Sequence, residues 1–204
     1  MPFIEVLLVA FVVSYLGSIP PGTINISVMQ LSVSRQRKAA LLLGLAASIA
    51  EFVYAGATVK FQQFLSESPR LTIVFQVITA LALVGLGIYN LFSKTDSTEY
   101  LKVDKLKGRT GFAKGLALGL LNPMTVPFWL VVTNYLVTHN WVDVKNENFW
   151  AYIIGLASGT FSLLVTVDFL GSKFQKIADN SFIVHRVPGL LFIGMGLYNA
   201  WKLF

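Results

Sequence analysis

Long apolar blocks alternate with short polar and charged stretches along the chain. Six of them are long enough to be membrane spans, because a helix that crosses a bilayer needs about 20 predominantly apolar residues. Their approximate bounds are 3–30, 39–59, 71–92, 111–138, 149–171 and 187–204. The first block has no basic residue before it, so we expect a retained span rather than a signal peptide. The pattern predicts an all-α integral membrane protein with six transmembrane helices.

The first and fourth blocks are longer than the others, and proline interrupts each of them. The first contains Pro20 and Pro21, and the fourth contains Pro123 and, a little further on, Pro127. Proline removes a backbone donor, and broken backbone at membrane depth is tolerated only where it is buried in protein or lines a cavity. We therefore predict that the first and fourth transmembrane helices are broken at proline and that the breaks are binding elements.

Three short motifs recur in the same order in the two halves of the chain. They are residues 17–21 and 119–123, 44–48 and 155–159, and 85–90 and 194–199. Each half holds three predicted spans, an odd number, so the second half must be inverted relative to the first, as in many secondary transporters. The predicted division is a first three-helix repeat over 1–92, a charged connector over 93–110 and an inverted repeat over 111–204.

The basic residues lie mainly on one side of the predicted spans. Twelve of the 16 lysines and arginines fall in segments that would share one side, and four fall on the other. Loops rich in lysine and arginine stay in the cytoplasm. We therefore expect the central connector to be cytoplasmic and both termini to face outward. The net charge of +6 is explained by this orientation, so we predict no nucleic-acid partner.

The composition excludes several classes of function. Only 13% of the residues are charged, against about a quarter in ordinary soluble domains. The chain has no cysteine, which excludes disulfides and thiolate metal sites, and His139 and His185 are isolated in predicted loops. No serine–histidine–acid set, phosphate loop or metal-binding cluster is visible. We predict no enzymatic activity, no cofactor and no metal site.

Glu51 is the sharpest single functional signal. It lies well inside the second predicted span, where a carboxylate costs at least about 2.5–3.5 kcal/mol. Small or polar residues recur around it at helical spacing, which predicts a stripe that faces the other helices. They are Gly44, Ser48, Tyr54, Ala55 and Thr58. We expect Glu51 to handle substrate or the coupling proton. The alternative is a glutamate that only supports helix packing.

The two proline breaks are the other candidate binding elements. A helical segment that restarts after a break exposes unpaired N–H groups and a positive dipole end, which suit a carboxylate. The alternative is that the breaks are packing kinks healed by neighbouring helices. Asp168, in the fifth span, is expected to reach water or a lysine such as Lys173. The predicted substrate-binding residues are Pro21, Gly22, Thr23, Asn25, Glu51, Tyr54, Asn122, Pro123 and Thr125.

The chain resembles the LysE-type translocator superfamily, the lysine exporter and homoserine/threonine efflux group of bacterial inner-membrane proteins. The resemblance rests on Pro21-Gly22 followed by Asn25, on a glycine-rich second span from Gly44, on the basic connector and on Asn122-Pro123. It implies six short spans in two halves and a location in the bacterial inner membrane.

Three positions depart from the family pattern. Thr23 stands where the family usually has a second proline after the glycine, and Met124 stands where lysine is frequent. An aspartate that some members carry in the fifth span would fall near Ser162. In this chain Glu51 supplies the acid in the other half.

The resemblance and the residues together predict a secondary active exporter of amino acids or related small zwitterionic solutes. The resemblance implies coupling to the proton gradient, and the inverted repeat implies alternating access. The expected partners are a small-molecule substrate and the lipid bilayer. Two alternatives stay open: an inorganic cation exporter of the same superfamily, and a membrane assembly or scaffold protein without transport.

Overall fold

The computed structural model describes residues 1–19, 22–66, 68–92, 108–122, 125–138, 140–171, 173, 180, 182 and 186–201. Within these ranges the regular structure is helical, as the apolar blocks predict. The helices are α1 (Phe3–Gly17), α2 (Thr23–Val33), α3 (Arg37–Ser66), α4 (Pro69–Phe92), α5 (Gly108–Leu120), α6 (Thr125–Thr138), α7 (Asn148–Leu170) and α8 (Val187–Trp201).

Two of these helices are each long and apolar enough to cross a membrane, α3 over Arg37–Phe64 and α7 over Asn148–Leu170. The segments Arg109–Leu120 and Thr125–Val137 qualify together as a third span, with a bend of 63° between them. Further apolar helices are shorter, α1 and α2 among them. The described helices therefore support a multi-pass membrane protein, and the count of six spans stays a prediction.

Two separate helices lie on either side of each predicted break. α1 ends at Gly17 and α2 begins at Thr23, while α5 ends at Leu120 and α6 begins at Thr125. The break residues that lie outside the described ranges are Pro20, Pro21, Pro123 and Met124. The prediction that Pro127 interrupts the fourth span is wrong, because α6 runs through it. Pro127 is in the first helical turn, where backbone N–H groups have no intrahelical acceptor and a missing donor costs little.

Glycine allows the helices to pack with their backbones in contact. α7 lies against α1, where a β-carbon on Gly155 would be 2.5 Å from the carbonyl oxygen of Leu7. α5 lies against α3, where a β-carbon on Gly111 would be 2.7 Å from the carbonyl oxygen of Ala39. Each of these pairs therefore joins a helix of the first half to a helix of the second.

α4 and α8 form a third close pair whose contacts are reciprocal. A β-carbon on Gly87 would meet the Gly189 carbonyl oxygen at 2.7 Å and the Ile193 side chain at 2.6 Å. On Gly196 it would meet the carbonyl oxygen of Ala80 at 3.0 Å and the side chain of Val84 at 2.8 Å. Each residue of the second contact lies 109 positions from its counterpart in the first: Gly196 from Gly87, Ala80 from Gly189 and Val84 from Ile193.

The predicted stripe on α3 faces the other helices. Gly44, Ser48, Ala55 and Thr58 are buried, and Glu51 and Tyr54 are half-buried. The opposite face of the helix is exposed and apolar, with Leu41, Leu45, Ile49 and Val53. This distribution confirms the orientation that the spacing predicts, with polar groups turned inward and aliphatic groups turned outward.

Candidate functional site

Glu51 lies where α3 meets α6 and α7. The hydroxyl group of Thr160 on α7 and the indole of Trp129 on α6 are within hydrogen-bonding reach of its carboxyl group. Trp129 and Thr160 are both buried, at 2% and 6% exposure. The indole N–H can only donate. The acidic group therefore sits inside the helix bundle with polar partners from two other helices.

Thr160 connects Glu51 to the end of α1. Its hydroxyl oxygen lies 2.8 Å from that of Ser14 and 3.2 Å from that of Ser18. Ser14 also donates a hydrogen bond of 2.7 Å to the carbonyl oxygen of Leu156. Because Ser18 directly follows α1, this chain of hydroxyl groups leads from Glu51 to the edge of the first break. We call Ser14, Ser18 and Thr160 the hydroxyl chain.

The glycines of α7 explain why these groups meet. A β-carbon on Gly159 would lie 2.9 Å from the β-carbon of Ser14 and 3.0 Å from the backbone nitrogen of Tyr15. Without side chains at Gly155 and Gly159, the backbone of α1 approaches α7 closely enough for short side chains to bond. Thr160 directly follows Gly159, so its hydroxyl reaches the last turn of α1.

Asn25 spans the first break. Its side-chain amide donates a hydrogen bond of 2.8 Å to the carbonyl oxygen of Ser18, seven residues earlier. This carbonyl belongs to the residue that caps the C-terminus of α1, where intrahelical partners are missing. Asn25 therefore links the start of α2 to the end of α1.

Tyr54 contacts the helix that ends at the second break. Its hydroxyl donates a hydrogen bond to the carbonyl oxygen of Leu120, the last residue of α5. Tyr54 is one helical turn from Glu51 on α3. Adjacent turns of α3 thus lie near the helix ends that adjoin the two predicted breaks: Glu51 is connected to the end of α1 through Thr160, and Tyr54 bonds to the end of α5. The structure therefore brings Glu51, Tyr54 and Asn25 into one region.

The other predicted residues lie at the two breaks with less evidence of a role. Gly22 caps the N-terminus of α2 in an extended conformation, and Thr23 is exposed in the first turn. The backbone N–H of Thr125 donates to the carbonyl of Asn122 at 3.3 Å, and both residues are half-buried. Pro21 and Pro123 lie outside the described residues.

Sequence reasoning missed four residues that touch or extend the Glu51 site: Ser14, Ser18, Trp129 and Thr160. Serine and threonine are ordinary in transmembrane helices, so their presence alone carries little information. A usable signal was the motif Gly155-xxx-Gly159, because close backbone approach places the residue beside the glycine against the facing helix. That residue is Thr160.

Asp168 is held at another contact, between α3 and α7. Its side chain is 1% exposed, and Oδ2 lies 3.2 Å from Nε of Arg37, which is 63% exposed. Its backbone carbonyl accepts a hydrogen bond of 2.6 Å from Ser32. The partner is therefore Arg37 at the start of α3, rather than water or a lysine such as Lys173. This pair lies two helical turns from Thr160, outside the Glu51 site.

Gln30 in α2 is a second buried polar group that sequence reasoning missed. The residue is 5% exposed, and both atoms of its carboxamide are buried without a hydrogen-bond partner in the described structure. Such a group costs about 1–3 kcal/mol when its hydrogen bonds are unmade. An amide kept at this cost is a candidate ligand for a polar solute.

An open cleft of about 500 Å³ lies at the other end of α3 from Arg37. The Lys60 ammonium sits 5.0 Å from the centre of the Phe149 ring, a favourable cation–π contact. The cleft is lined by Lys60, Gln63, Lys145, Asn146, Phe149 and Trp150. Glu51 is not among its lining residues, so the cleft and the Glu51 site are separate.

The comparisons with known proteins address the family. The LysE type translocator family model matches residues 15–202, which is nearly the whole chain. No curated protein and no solved structure matches the chain. The matched region contains the helices α2 to α8, Glu51 and both predicted breaks, and the family consists of transporters rather than enzymes. The chain therefore belongs to the LysE type translocator family of membrane exporters.

Proposed function

We propose that this protein is a secondary active exporter of amino acids or related small zwitterionic solutes, coupled to protons and working by alternating access. The observation that carries the proposal is the position of Glu51. It is a half-buried acid on α3 with Trp129 of α6 and Thr160 of α7 beside its carboxyl group, and Thr160 also contacts the end of α1. An intramembrane carboxylate in such a place is a candidate for substrate or proton handling.

The two breaks would hold the other end of the solute. The helices α2 and α6 begin there, and helix N-termini carry unpaired N–H groups and a partial positive charge. In this proposal the carboxylate of the solute binds these ends, through Gly22, Thr23 and Thr125. Glu51 pairs with the ammonium group of the solute or carries the coupling proton.

The contacts between the halves support an inverted repeat, as alternating access requires. If the first, second and third spans correspond to the fourth, fifth and sixth, the pairing of α1 with α7 corresponds to that of α5 with α3. The reciprocal glycine contacts of α4 and α8 fit the same exchange. We propose that a pseudo-twofold axis passes between α4 and α8, with the repeats at 1–92 and 111–204.

The proposed location is the bacterial inner membrane, with both termini outside and the connector in the cytoplasm. The positive-inside pattern supports this orientation. Arg37 would then lie on the cytoplasmic side and the cleft at Lys60 on the outer side. A cysteine introduced at Trp201 should accordingly react with a membrane-impermeant maleimide added to intact spheroplasts, which the cysteine-free parent chain cannot do.

The decisive experiment is reconstitution into proteoliposomes. Radiolabelled basic, neutral and acidic amino acids are tested for flux with and without a pH gradient, in the parent protein and in Glu51→Gln. We expect at least one amino acid to move faster with the gradient, and Glu51→Gln to remove this dependence while the protein stays folded. Full gradient-driven flux in Glu51→Gln would contradict the role of Glu51.

The cation-exporter alternative draws on one specific observation. Hydroxyl and carboxylate oxygens converge at Thr160, and such ligands suit hard cations. The same vesicles loaded with Mn²⁺ or Mg²⁺ decide between the two functions. Flux of a cation without flux of any amino acid would favour the alternative, and the absence of all flux and of ligand-dependent thermal shifts would favour a scaffold.

A further inference from the structure

The cleft at Lys60 lies at the depth of the lipid headgroups. Lys60 is the first charged residue after the apolar block 39–59, and Lys145 stands three residues before α7 begins. A helix rises about 1.5 Å per residue, so α3 climbs about 35 Å between Arg37 and Lys60, against a hydrocarbon core of about 30 Å. With Arg37 at one membrane surface, Lys60 is at the other.

Contacts between α3 and the loop before α7 hold the polar wall of the cleft. The side-chain amide of Gln63 donates a hydrogen bond of 3.2 Å to the carbonyl oxygen of Val144. Val142 and Val144 are each 3% exposed, while the alternate residues Asp143 and Lys145 are exposed. The backbone N–H of Lys145 also donates to the carboxylate of Asp143 at 3.1 Å. The loop is therefore anchored in a form that turns Lys145 toward the solvent.

Aromatic rings form the other wall. The Phe149 ring, over which the Lys60 ammonium sits, meets Trp150 edge to face with the ring centroids 5.2 Å apart. Trp150 in turn stacks on Phe52 of α3 at 6.5 Å, yet 54% of it stays exposed. Tryptophan beside lysine at the end of a span is typical of residues at the membrane–water interface.

The cleft is positively charged. Its lining contains two lysines and no acid, and within the described ranges neither lysine ammonium group pairs with a carboxylate. The acids of the neighbouring loop, Asp143 and Glu147, are outside the lining. A zwitterionic amino acid would bring its ammonium group next to two others, without an acid to receive it. The cleft therefore suits an anion rather than the proposed solute.

The position of the two lysines is unusual for a membrane protein. In the proposed orientation they are two of only four basic residues on the outer side, where lysine and arginine are disfavoured. They come from separate segments of the chain, 85 positions apart, and line one cleft. This convergence favours a shared ligand over two unrelated surface charges.

We propose that the cleft binds the phosphate group of an anionic phospholipid headgroup. Lys60 and Lys145 supply the compensating charges, as lysine does at other phosphate sites. Phe149 and Trp150 pack against the carbon chain that carries the phosphate. Because one lysine belongs to α3 and the other to the loop before α7, the bound lipid joins the outer ends of two helices from different halves. The site is separate from Glu51 and does not depend on the identity of the exported solute.

Thermal unfolding in a neutral detergent tests the charge preference. The delipidated protein is titrated with short-chain phosphatidylglycerol, with phosphatidylcholine of the same chain length and with inorganic phosphate. We expect a saturable rise of the thermal midpoint with phosphatidylglycerol. In the double variant Lys60→Gln with Lys145→Gln, the affinity for this lipid should fall roughly 10- to 30-fold. The matched control is Lys38→Gln with Arg70→Gln, which removes two exposed charges outside the cleft.

Three outcomes would overturn the proposal. The first is an equal response to both lipids, because a cleft that recognises net negative charge must distinguish them. The second is an unchanged response to phosphatidylglycerol in the cleft variant, or an equal loss in the control variant. The third is a rise with inorganic phosphate as large as that with the lipid, which would assign the cleft to a free anion.

Fluorescence quenching tests the place of binding. In vesicles, lipids with brominated acyl chains quench tryptophans that they contact. Brominated phosphatidylglycerol should quench the parent protein more strongly than brominated phosphatidylcholine at the same mole fraction. This excess should disappear in Trp150→Phe, because Trp150 is the tryptophan of the cleft lining. Trp141→Phe is the control at an equally exposed tryptophan outside the lining. An excess that persists in Trp150→Phe would place the lipid elsewhere and overturn the site.

Discussion

Oδ2 of Asp168 lies 3.2 Å from Nε of Arg37, and the two side chains differ sharply in exposure, at 1% and 63%. The pair joins α7 to the first residue of α3, and the carbonyl of Asp168 also accepts a hydrogen bond from Ser32 in the last turn of α2. A buried charge without a counterion is costly, so the buried carboxylate of Asp168 needs Arg37 to remain stable in the fold.

Removal of Arg37 should therefore destabilise the protein more than removal of both charges. We expect Arg37→Met to lower the free energy of unfolding by less than the about 3–5 kcal/mol typical of a fully buried pair, because Arg37 is mostly exposed. The double variant Arg37→Met with Asp168→Asn should recover part of the loss. Thermal unfolding of the four proteins in detergent measures this coupling, and strictly additive effects would contradict it.

The two glycines of each repeated Gly-x-Gly motif should respond differently to alanine. In Gly87→Ala the new β-carbon would collide with the backbone of α8, whereas in Gly85→Ala it has nothing within 4 Å. Alanine is favoured over glycine in a helix by roughly 0.5–1 kcal/mol. Gly85→Ala should thus keep or raise the thermal midpoint, and Gly87→Ala should lower it.

Gly196→Ala and Gly194→Ala in α8 form the equivalent pair. A β-carbon on Gly196 would meet α4, and one on Gly194 would meet nothing within 4 Å. The same contrast in thermal midpoint is expected. Equal effects of the two substitutions within either motif would argue against the reciprocal contact.

The hydrogen bond from Tyr54 should matter for transport. Tyr54→Phe leaves the carbonyl at the end of α5 without this donor, which costs about 0.5–1.5 kcal/mol of stability. We expect a slower export rate per folded molecule, because this end of α5 adjoins the second break. Tyr89→Phe is the control at an exposed tyrosine. Identical export by both variants would remove Tyr54 from the site.

Asn25 can be tested against a buried asparagine with the same kind of bond. Asn25 donates to the Ser18 carbonyl at 2.8 Å, and Asn199 of α8 donates to the Gln76 carbonyl at 3.2 Å. Substitution by aspartate removes the donor in both. Both variants should lose stability, but only Asn25→Asp should slow export by the remaining folded protein. Equal export by the two folded variants would assign Asn25 a purely structural role.

Substitution of Gln30, whose carboxamide is buried, should raise the stability of the protein rather than lower it. Gln30→Met removes the two unpartnered polar atoms at similar volume and should raise stability by about 1–3 kcal/mol. If the amide is kept for the solute, export should fall as stability rises. Thermal unfolding and vesicle flux of the same preparation measure both. A stabilised variant with full export would mean that Gln30 does not contact the solute.

The helical class and the orientation of α3 could be predicted from sequence because they follow from apolar block length and helical spacing. The stripe around Glu51 lies on one face of a single helix, and the polarity of its residues alone indicates that this face is turned toward the other helices. The family could be recognised from a few motif residues. These features depend on local sequence.

The contacts of the site could not be predicted, because they depend on which helices meet. Thr160 is 109 residues from Glu51 in sequence and comes near it because α7 packs against α3. The sequence leads one to expect Asp168 to reach water or a lysine such as Lys173, but it pairs with Arg37 from another helix. Pro127 looked like a break because its position within the first turn of α6 is not visible in the sequence.

The pairing of α1 with α7 and of α3 with α5 has a consequence for biogenesis. As the chain emerges from the ribosome, α1 and α3 enter the membrane before either partner has been made. The face of α3 that carries Glu51 then lacks these packing partners until α5, α6 and α7 have been inserted. The first half would therefore be the vulnerable nascent intermediate, and the protein would become competent only when its second half arrives.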